Sequence, residues 1–341
     1  MNWKVLTAYP DTNLEKKWNE FLANAEYPTH YTTPNFFVDP YIRGGERFAV
    51  LAFEGEDISA VLTGVDNGKT IISGMPVRPQ TAFRKDVNFA NAVNGIFQGS
   101  LEKGGQSLEM IEFYTWSPVK EFEDVGFQTQ TSTEQNLVIM LDLSKGADEI
   151  FKDFSQTRRN ELRKAMKQNL VKVKELETEQ ELKELYEIFV DWNQRKGHQP
   201  ETFETMQFAV SQKNNRKVLI AKYEEKVIAG SYYRFCKGGV VEYAANNSLT
   251  EFQKLRPNDL IGWRSIEWAC QSGFSHYSMG GSHLFLRRFG GNEIATHRYK
   301  LDRTFFKTHE KKEQLTNFAI KTYKSLPDST RKKLKQVLGK S

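Results

Sequence analysis

The sequence predicts an α+β protein made of two copies of one unit and a helical C-terminal tail. Three observations predict it. A three-strand meander occurs twice, with Ile58 and Ile228 in matching places 170 residues apart. Each meander is followed by an irregular stretch, a helix and one more strand. The 341 residues suit two domains of roughly 100–200 residues each.

Taken in order, Phe48 to Phe53 is an apolar strand closed by the polar turn Glu54-Gly55-Glu56-Asp57. Ile58 to Val65 returns, and Asp66-Asn67-Gly68-Lys69 makes a hairpin, because Asn-Gly adopts the positive φ angles a tight turn needs. Thr70 to Ser73 is the third strand, and a helix over Val87 to Lys103 and a strand over Leu108 to Tyr114 complete the first copy. An apolar strand, Leu137 to Leu143, and a helical stretch, Ala147 to Asn169, join the halves. Thr178 with Glu181 is a capping box, and Leu182, Leu185, Phe189 and Trp192 follow it at helical spacing. The second meander comprises Val218 to Tyr223, Val227 to Cys236 and Val240 to Leu249, turning at Glu224-Glu225-Lys226 and Lys237-Gly238-Gly239. After the irregular Thr250 to Pro257 come a helix, Asn258 to Ser272, and a strand, His276 to Met279. Beyond Asp302 the chain is polar and helical, with a breaker at Pro327 and a basic amphipathic turn over Ser329 to Leu338. The domain boundaries this implies are 1–143, 144–306 and a tail at 307–341.

With 39% hydrophobic and 27% charged residues, the balance is that of a globular chain and excludes disorder. The two cysteines, Cys236 and Cys270, exclude a disulfide framework or a CxxC zinc site, and both thiols are expected to be buried. The opening MNWKVLTAYPDTNLEKKW lacks the apolar run of a signal peptide, and no stretch reaches the ~18 apolar residues of a spanning helix. A cytoplasmic location is therefore expected. GxSxG, HExxH, Walker and GxGxxG signatures are missing, and the six histidines show no ligand spacing, so hydrolase and metal readings are excluded and no metal ligands are expected. The net charge of +5 is uneven: Lys307 to Ser341 holds ten Lys/Arg and three Asp/Glu, so the tail carries +7 and the rest −2. Such a tail is either a solvated helix or a surface drawn to phosphates on nucleic acid or an anionic membrane.

Several residues suggest a substrate site. A helix that starts where a sheet ends offers unpaired N–H groups to an anion; with Asn258 as its N-cap, a phosphate would dock beside Leu255, Arg256 and Asn258. Arg158, Arg159, Arg163, Lys164 and Lys167 lie on one predicted helix, and Arg159, Arg163 and Lys167, four apart, share a face that either clamps phosphate oxygens or is simply solvated. Gly280 and Gly281 allow a tight turn or a close approach to backbone. Glu242 and Tyr243 sit on the third strand of the meander, where alternation turns only one of them toward a given face. His276, Tyr277 and His283 read as packing residues.

Three segments carry a family resemblance. They are LDLSKGADEIFKDFSQTRRNELRKAMKQNLVKV, EYAANNSLTEFQKLRPNDLIGWRSIEWACQSGFSHYSMGG and HLFLRRFGGNEIATHRYKLDRTFF, supported by WNEFLANAEYPTHYTTPNFF near the start. They resemble the GNAT acyltransferase core and, more closely, the FemAB family, which is built of two GNAT-like domains. The resemblance implies two tandem GNAT-like domains with mixed, mostly antiparallel sheets flanked by helices. It implies transfer of an acyl or aminoacyl group to an amine, with the substrate in the groove between the domains or at the split edge of the second sheet. FemAB-like enzymes use aminoacyl-tRNA to extend the peptide of a cell-wall lipid precursor, whereas related proteins use acyl-CoA. The donor is thus aminoacyl-tRNA or acyl-CoA, no cofactor is tightly bound, and the acceptor is a phosphorylated or lipid-linked precursor. tRNA and, through the basic tail, an anionic membrane are the expected partners. The catalytic candidates are Glu242, Tyr243, Arg287 and Arg288; the substrate-binding candidates are Arg158, Arg159, Arg163, Arg256, Asn258, Gly280 and Gly281. Two departures stand out. Thr250 to Pro257 contains no glycine, which counts against ordinary acetyl-CoA binding. Leu286 stands where the family often has lysine, so Arg287 or Arg288, expected to point to opposite faces of a strand, supplies the charge. Two alternatives remain: a CoA-dependent N-acetyltransferase of a small amine or sugar, and a non-catalytic binding protein.

Overall fold

The doubled meander folds as two sheets of matching strand order. The computed structural model describes residues 2–132, 136–327 and 330–331. The first half runs β1 (Asn2–Leu6), α1 (Thr12–Asn24), β2 (Glu46–Glu54), β3 (Asp57–Asp66), β4 (Thr70–Ser73), β5 (Thr81–Phe83), α2 (Phe89–Gly104), β6 (Met110–Thr115), α3 (Glu121–Asp124) and β7 (Gln128–Thr131). Then follow β8 (Val138–Asp142), α4 (Ala147–Asp153), α5 (Gln156–Gln168), β9 (Lys172–Glu175), α6 (Glu179–Arg195), α7 (Phe203–Ser211), β10 (Arg216–Tyr223), β11 (Lys226–Phe235) and β12 (Val240–Ser248). The chain continues through α8 (Pro257–Gln271), β13 (His276–Ser278), α9 (Leu284–Arg287), β14 (Asn292–Ile294), β15 (His297–Asp302) and α10 (Thr308–Ser325). The first sheet is ordered β1-β2-β3-β4-β6-β15-β7, with β5 beside β3; the second is β9-β10-β11-β12-β13-β8-β14. The parallel pairs β4/β6 and β12/β13 fall at the same place in each.

The sixth strand of each sheet comes from outside the repeated unit. β15, from the far end of the chain, pairs with β6 and β7, while β8, from the junction, pairs with β13 and β14. The boundaries read from the sequence need correcting here, since β8 falls before 143 yet belongs to the second sheet, and β15 falls before 306 yet belongs to the first. The cause is physical: strand partners are chosen over long sequence separations by packing, and a composition change does not report them.

The second sheet is covered on both faces, which explains its near-continuous apolar strands. Leu219 and Ala221 of β10 face Leu162 of α5 and Leu260, Ile261 and Ile266 of α8. Val218 and Ile220 face Leu182, Leu185 and Ile188 of α6. The capping box forms, with Glu181 N–H donating to Thr178 Oγ1 (3.1 Å) and Thr178 N–H to Glu181 Oε2 (3.3 Å). In the first sheet α1 packs Leu14, Trp18 and Phe21 on one face, and α2 packs Ala92, Val93 and Ile96 on the other.

Other local expectations change. The helical stretch over 147–169 breaks at Phe154, where the backbone turns extended and Ser155 caps a new helix by accepting Arg158 N–H (3.3 Å). α8 begins at Pro257, preceded by Arg256 in the left-handed region (φ 59°). Asn258 is therefore not the N-cap, because proline is preorganised for the first helical position; its amide instead donates to Ser248 Oγ (3.1 Å). Residues 284–287 form a helical turn, not a strand. Cys236 is buried but Cys270 is only partly so. Of the basic turn expected over 329–338, all but 330–331 lies outside the described residues.

Candidate functional site

The second sheet opens beside β12. Only Val240, Val241 and Glu242 pair with β13, opposite His276, Tyr277 and Ser278. Beyond Glu242, β12 continues to Ser248 paired with β11 alone. A bulge sits at this point: Tyr232 pairs with Ala245 and Tyr233 with Tyr243, so Ala244 has no partner across the ladder. The freed Ala244 carbonyl accepts an N–H from Arg78 of the first half (3.0 Å). Gly280 closes the other side of the opening at φ 71°, and a Cβ there would lie 2.7 Å from the Tyr243 carbonyl oxygen. Only glycine fits both the angle and the approach.

Against β10, β11 and the bulge lies a cavity of about 300 Å³, lined by Tyr41 and Arg78 from the first half and by Phe189, Glu201, Met206, Arg216, Tyr232 and Arg234, among others, from the second. The first-half segment after α1 supplies a buried polar network beside it. His30 Nε2 donates to Asp39 Oδ2 (2.6 Å), Arg216 donates to the same oxygen, and Arg234 donates to the Tyr31 hydroxyl while stacking over its ring. Burial pushes the His30 imidazole down to about 4, against the pull of Asp39. It is therefore neutral, with its proton on the Nε2 that faces the carboxylate. Burial tends to raise the Asp39 carboxyl, but the His30 bond and the Arg216 guanidinium outweigh it and hold Asp39 below its usual range.

Atoms buried here with no protein partner include Nδ1 of His30, Nε of Arg216, Nε of Arg234, the Tyr232 hydroxyl and Oε2 of Glu242. Buried polar groups are nearly always bonded, so a cluster of open ones needs a reason. Glu242, 2% exposed, stands opposite Arg234 in register. Burial raises its carboxyl even though Arg234, Arg78 and Arg216 oppose the shift. Tyr243 faces the other way, under α8, beside Tyr233, and burial raises its hydroxyl. Strand alternation thus turns Glu242 to the face that Arg234 occupies.

The remaining sequence-derived candidates are engaged elsewhere. Arg158, 1% exposed, is an internal pin and not an open phosphate clamp. It forms an ion pair with Asp259, donates to the Phe285 carbonyl (3.0 Å) and lies 4.4 and 4.2 Å from the ring centres of Phe285 and Phe289; burial pulls its guanidinium down to about 10. Arg159 donates to the carbonyls of Lys152 (2.6 Å) and Phe154, closing the end of α4. Arg163 is exposed, 5.4 Å from the Phe151 ring. Arg256 pairs with Glu161. Gly281 lies at the opening beside Gly280, and its carbonyl accepts Ile139 N–H. Leu286 is buried in the core of the second domain, so its position faces packing and not the groove. Arg287 donates to the Ser282 carbonyl (2.6 Å) and pairs with Glu293 (3.0 Å). The Arg288 carbonyl accepts Ser155 N–H. On a helical turn these two arginines stand about 100° apart, not on opposite faces.

The opening thus brings together Glu242, Tyr243, Gly280 and Gly281. Arg78, Arg216, Arg234, Tyr232, His30, Tyr31 and Asp39 were missed. One signal for one of them was available: Arg234 is the sole charge in the run Val227 to Phe235. Among the described residues no group of three or more His, Cys, Asp or Glu is placed to hold a metal, and no helix is long and apolar enough to cross a membrane.

Comparison with known proteins fits this geometry. Residues 152–301 match the Acetyltransferase (GNAT) domain family, a span that contains the opened strand pair. The whole fold is similar to that of FemX, with a TM-score of 0.69 at 13% identity over 88% of this chain and 98% of that one. It is also similar to L-PGS from Bacillus licheniformis (TM-score 0.57, 12% identity, 88% and 94% covered). A third similar structure is the C-terminal domain of a putative lysylphosphatidylglycerol synthetase from Agrobacterium fabrum (TM-score 0.58, 10% identity, 85% and 92% covered). No curated protein matches the chain by sequence. Residues 152–301 are thus matched by the acetyltransferase (GNAT) domain family, and the chain as a whole has a fold similar to that of FemX, with two GNAT-like units in tandem.

Proposed function

We propose that the chain transfers an aminoacyl or acyl group to an amine on a phosphorylated or lipid-linked precursor of the cell envelope or a polysaccharide. One observation carries the reading: the arginine-lined cavity of about 300 Å³ lies against the bulge where the second sheet opens. Arg78, Arg216 and Arg234 suit the anionic part of an acceptor, and Tyr232 adds a hydroxyl. The acceptor amine then points to the opening, where Glu242 takes its proton. The neutral nitrogen attacks the donor's carbonyl carbon, the bond to the donor oxygen or sulfur breaks, and an amide forms. No covalent enzyme intermediate is required, since burial raises both cysteine thiols and leaves them poor nucleophiles.

The donor enters as a substrate. Of the two donors, the start of α8 favours an aminoacyl ester such as aminoacyl-tRNA. Pro257 removes one N–H, no glycine precedes it, and the Asp259 carboxylate occupies the first turn. Each weakens that turn as a pyrophosphate site. The lysylphosphatidylglycerol synthetase likeness supports the same donor, because that name describes joining a lysyl group to a lipid. The match to the acetyltransferase (GNAT) domain family favours a second reading, acetyl transfer from CoA to a small amine or sugar. Activated esters and thioesters are made in the cytoplasm, so we place the protein there, and a lipid-linked acceptor would bring its basic end to the membrane surface.

The test is mass spectrometry of amine-bearing envelope precursors incubated with the protein and either mixed aminoacyl-tRNAs or acyl-CoAs. The acceptor should gain an aminoacyl mass, and Glu242→Gln should slow the gain by about 10²-fold, the low end for a lost general base. Because burial raises Glu242, the parent rate should fall as pH drops through a value above the usual ~4.3, and Glu242→Gln should lose that limb. Gain of an acyl mass from CoA alone selects the second reading, and no gain from any donor rejects both.

A further inference from the structure

Five of the thirteen large apolar side chains exposed among the described residues lie within 305–320: Phe305 (91%), Phe306 (68%), Leu315 (70%), Phe318 (70%) and Ile320 (47%). Phe305 and Phe306 sit on the link into α10, ring against ring at 4.9 Å, and belong to no core cluster. Leaving these rings in water forgoes the free energy their burial would release. Along α10, Lys311, Leu315, Phe318 and Thr322 recur at spacings of four, three and four, which places them on one stripe. At 100° per residue, Lys312 and Lys321 flank that stripe at roughly 90° on either side.

The carboxylates of α10 are turned away from it. Glu310 accepts from Gln128 (3.1 Å), and Glu313 is held by Arg298 and Lys300 of β15. The bond from Arg298, with that from Lys300, pulls the Glu313 carboxyl down to about 2. These contacts dock the first turns of the helix on the first sheet and leave the outer stripe apolar and cationic. Among the described residues of α10 it meets no acidic side chain.

We infer that Phe305, Phe306 and the Lys311–Leu315–Phe318 stripe of α10 bind the surface of a bilayer containing anionic lipid. An interface of that kind satisfies both features at once: the rings and Leu315 enter the acyl boundary while lysines extend to the headgroups. A second copy of this chain would set the same lysines against each other across an isologous contact. A nucleic acid would take the lysines but leave Leu315 and Phe318 in water. The inference rests on the lipid-linked acceptor reading only for its purpose; its test does not depend on transfer.

The test is flotation of the full chain with phosphatidylglycerol/phosphatidylcholine vesicles against pure phosphatidylcholine vesicles. The protein should float with the anionic vesicles, and added salt should weaken this. Phe305→Ser combined with Phe306→Ser should reduce binding at least about tenfold without changing the melting temperature, and Lys311→Glu with Lys312→Glu should abolish the preference for anionic lipid. Transfer to a soluble acceptor should survive the phenylalanine pair. The inference fails if the parent stays unbound to anionic vesicles, or if the phenylalanine pair floats like the parent. It also fails if light scattering shows a dimer that those substitutions dissociate, or if RNA, and not vesicles, is what they release.

Discussion

At the residue scale, β12 turns Glu242 and Tyr243 to opposite faces, because a strand has only two. The arginines of α5 could not be sorted in the same way. A basic helix reads as solvated or phosphate-binding, yet Arg158 is inside, since its partner Asp259 lies on α8 and no local pattern announces a distant carboxylate. The two kinds of arginine should respond differently. Arg158→Ala strands Asp259 in the interior and should cost about 3–5 kcal/mol of stability, the range for breaking a buried pair. Arg163→Ala removes an exposed side chain and should stay within about 0.5 kcal/mol. Urea unfolding of both variants checks this; equal small losses would mean that Arg158 is not a pin.

At the scale of elements, the meanders, their turns and the helices α2 and α8 were legible, because each is set by local periodicity and turn chemistry. The N-terminal pair β1 and α1 was not read, although Asp11 caps the helix by accepting Leu14 N–H (2.9 Å). The pairing of β15 with β6 and β7 was equally hidden, since its polar sequence, HRYKLD, resembles a loop. It is nevertheless central to the first sheet: Tyr299 is fully buried, its ring stacked on Phe113 at 5.0 Å, and its hydroxyl accepts Val119 N–H (2.7 Å). A chain ending at 296 should therefore lose the first sheet's cooperative unfolding and become cleavable by protease between β6 and β7. Limited proteolysis followed by mass mapping tests this. Protection of residues 110–131 equal to that in the full chain would show the exchanged strand to be dispensable.

At the scale of the whole molecule, exchange of β8 and β15 ties the halves together, and the segment after α1 brings His30, Tyr31 and Asp39 against the second sheet. The candidate cavity exists only because both halves contribute to it. That is why the first-half residues of the cavity escaped the sequence: no local pattern shows which of them meet the second sheet. The central claim is that an acceptor completes the open polar atoms of this cavity. The measurement that reaches it most directly is the acceptor KM of Tyr232→Phe beside its thermal stability. The Tyr232 hydroxyl is buried without a partner, so removing it should leave stability unchanged or slightly raised. If it bonds the acceptor, KM should rise about tenfold, the scale of one hydrogen bond of roughly 1–1.5 kcal/mol, with kcat little changed. An unchanged KM in a fully stable variant would contradict the placement of the acceptor in the interdomain cavity.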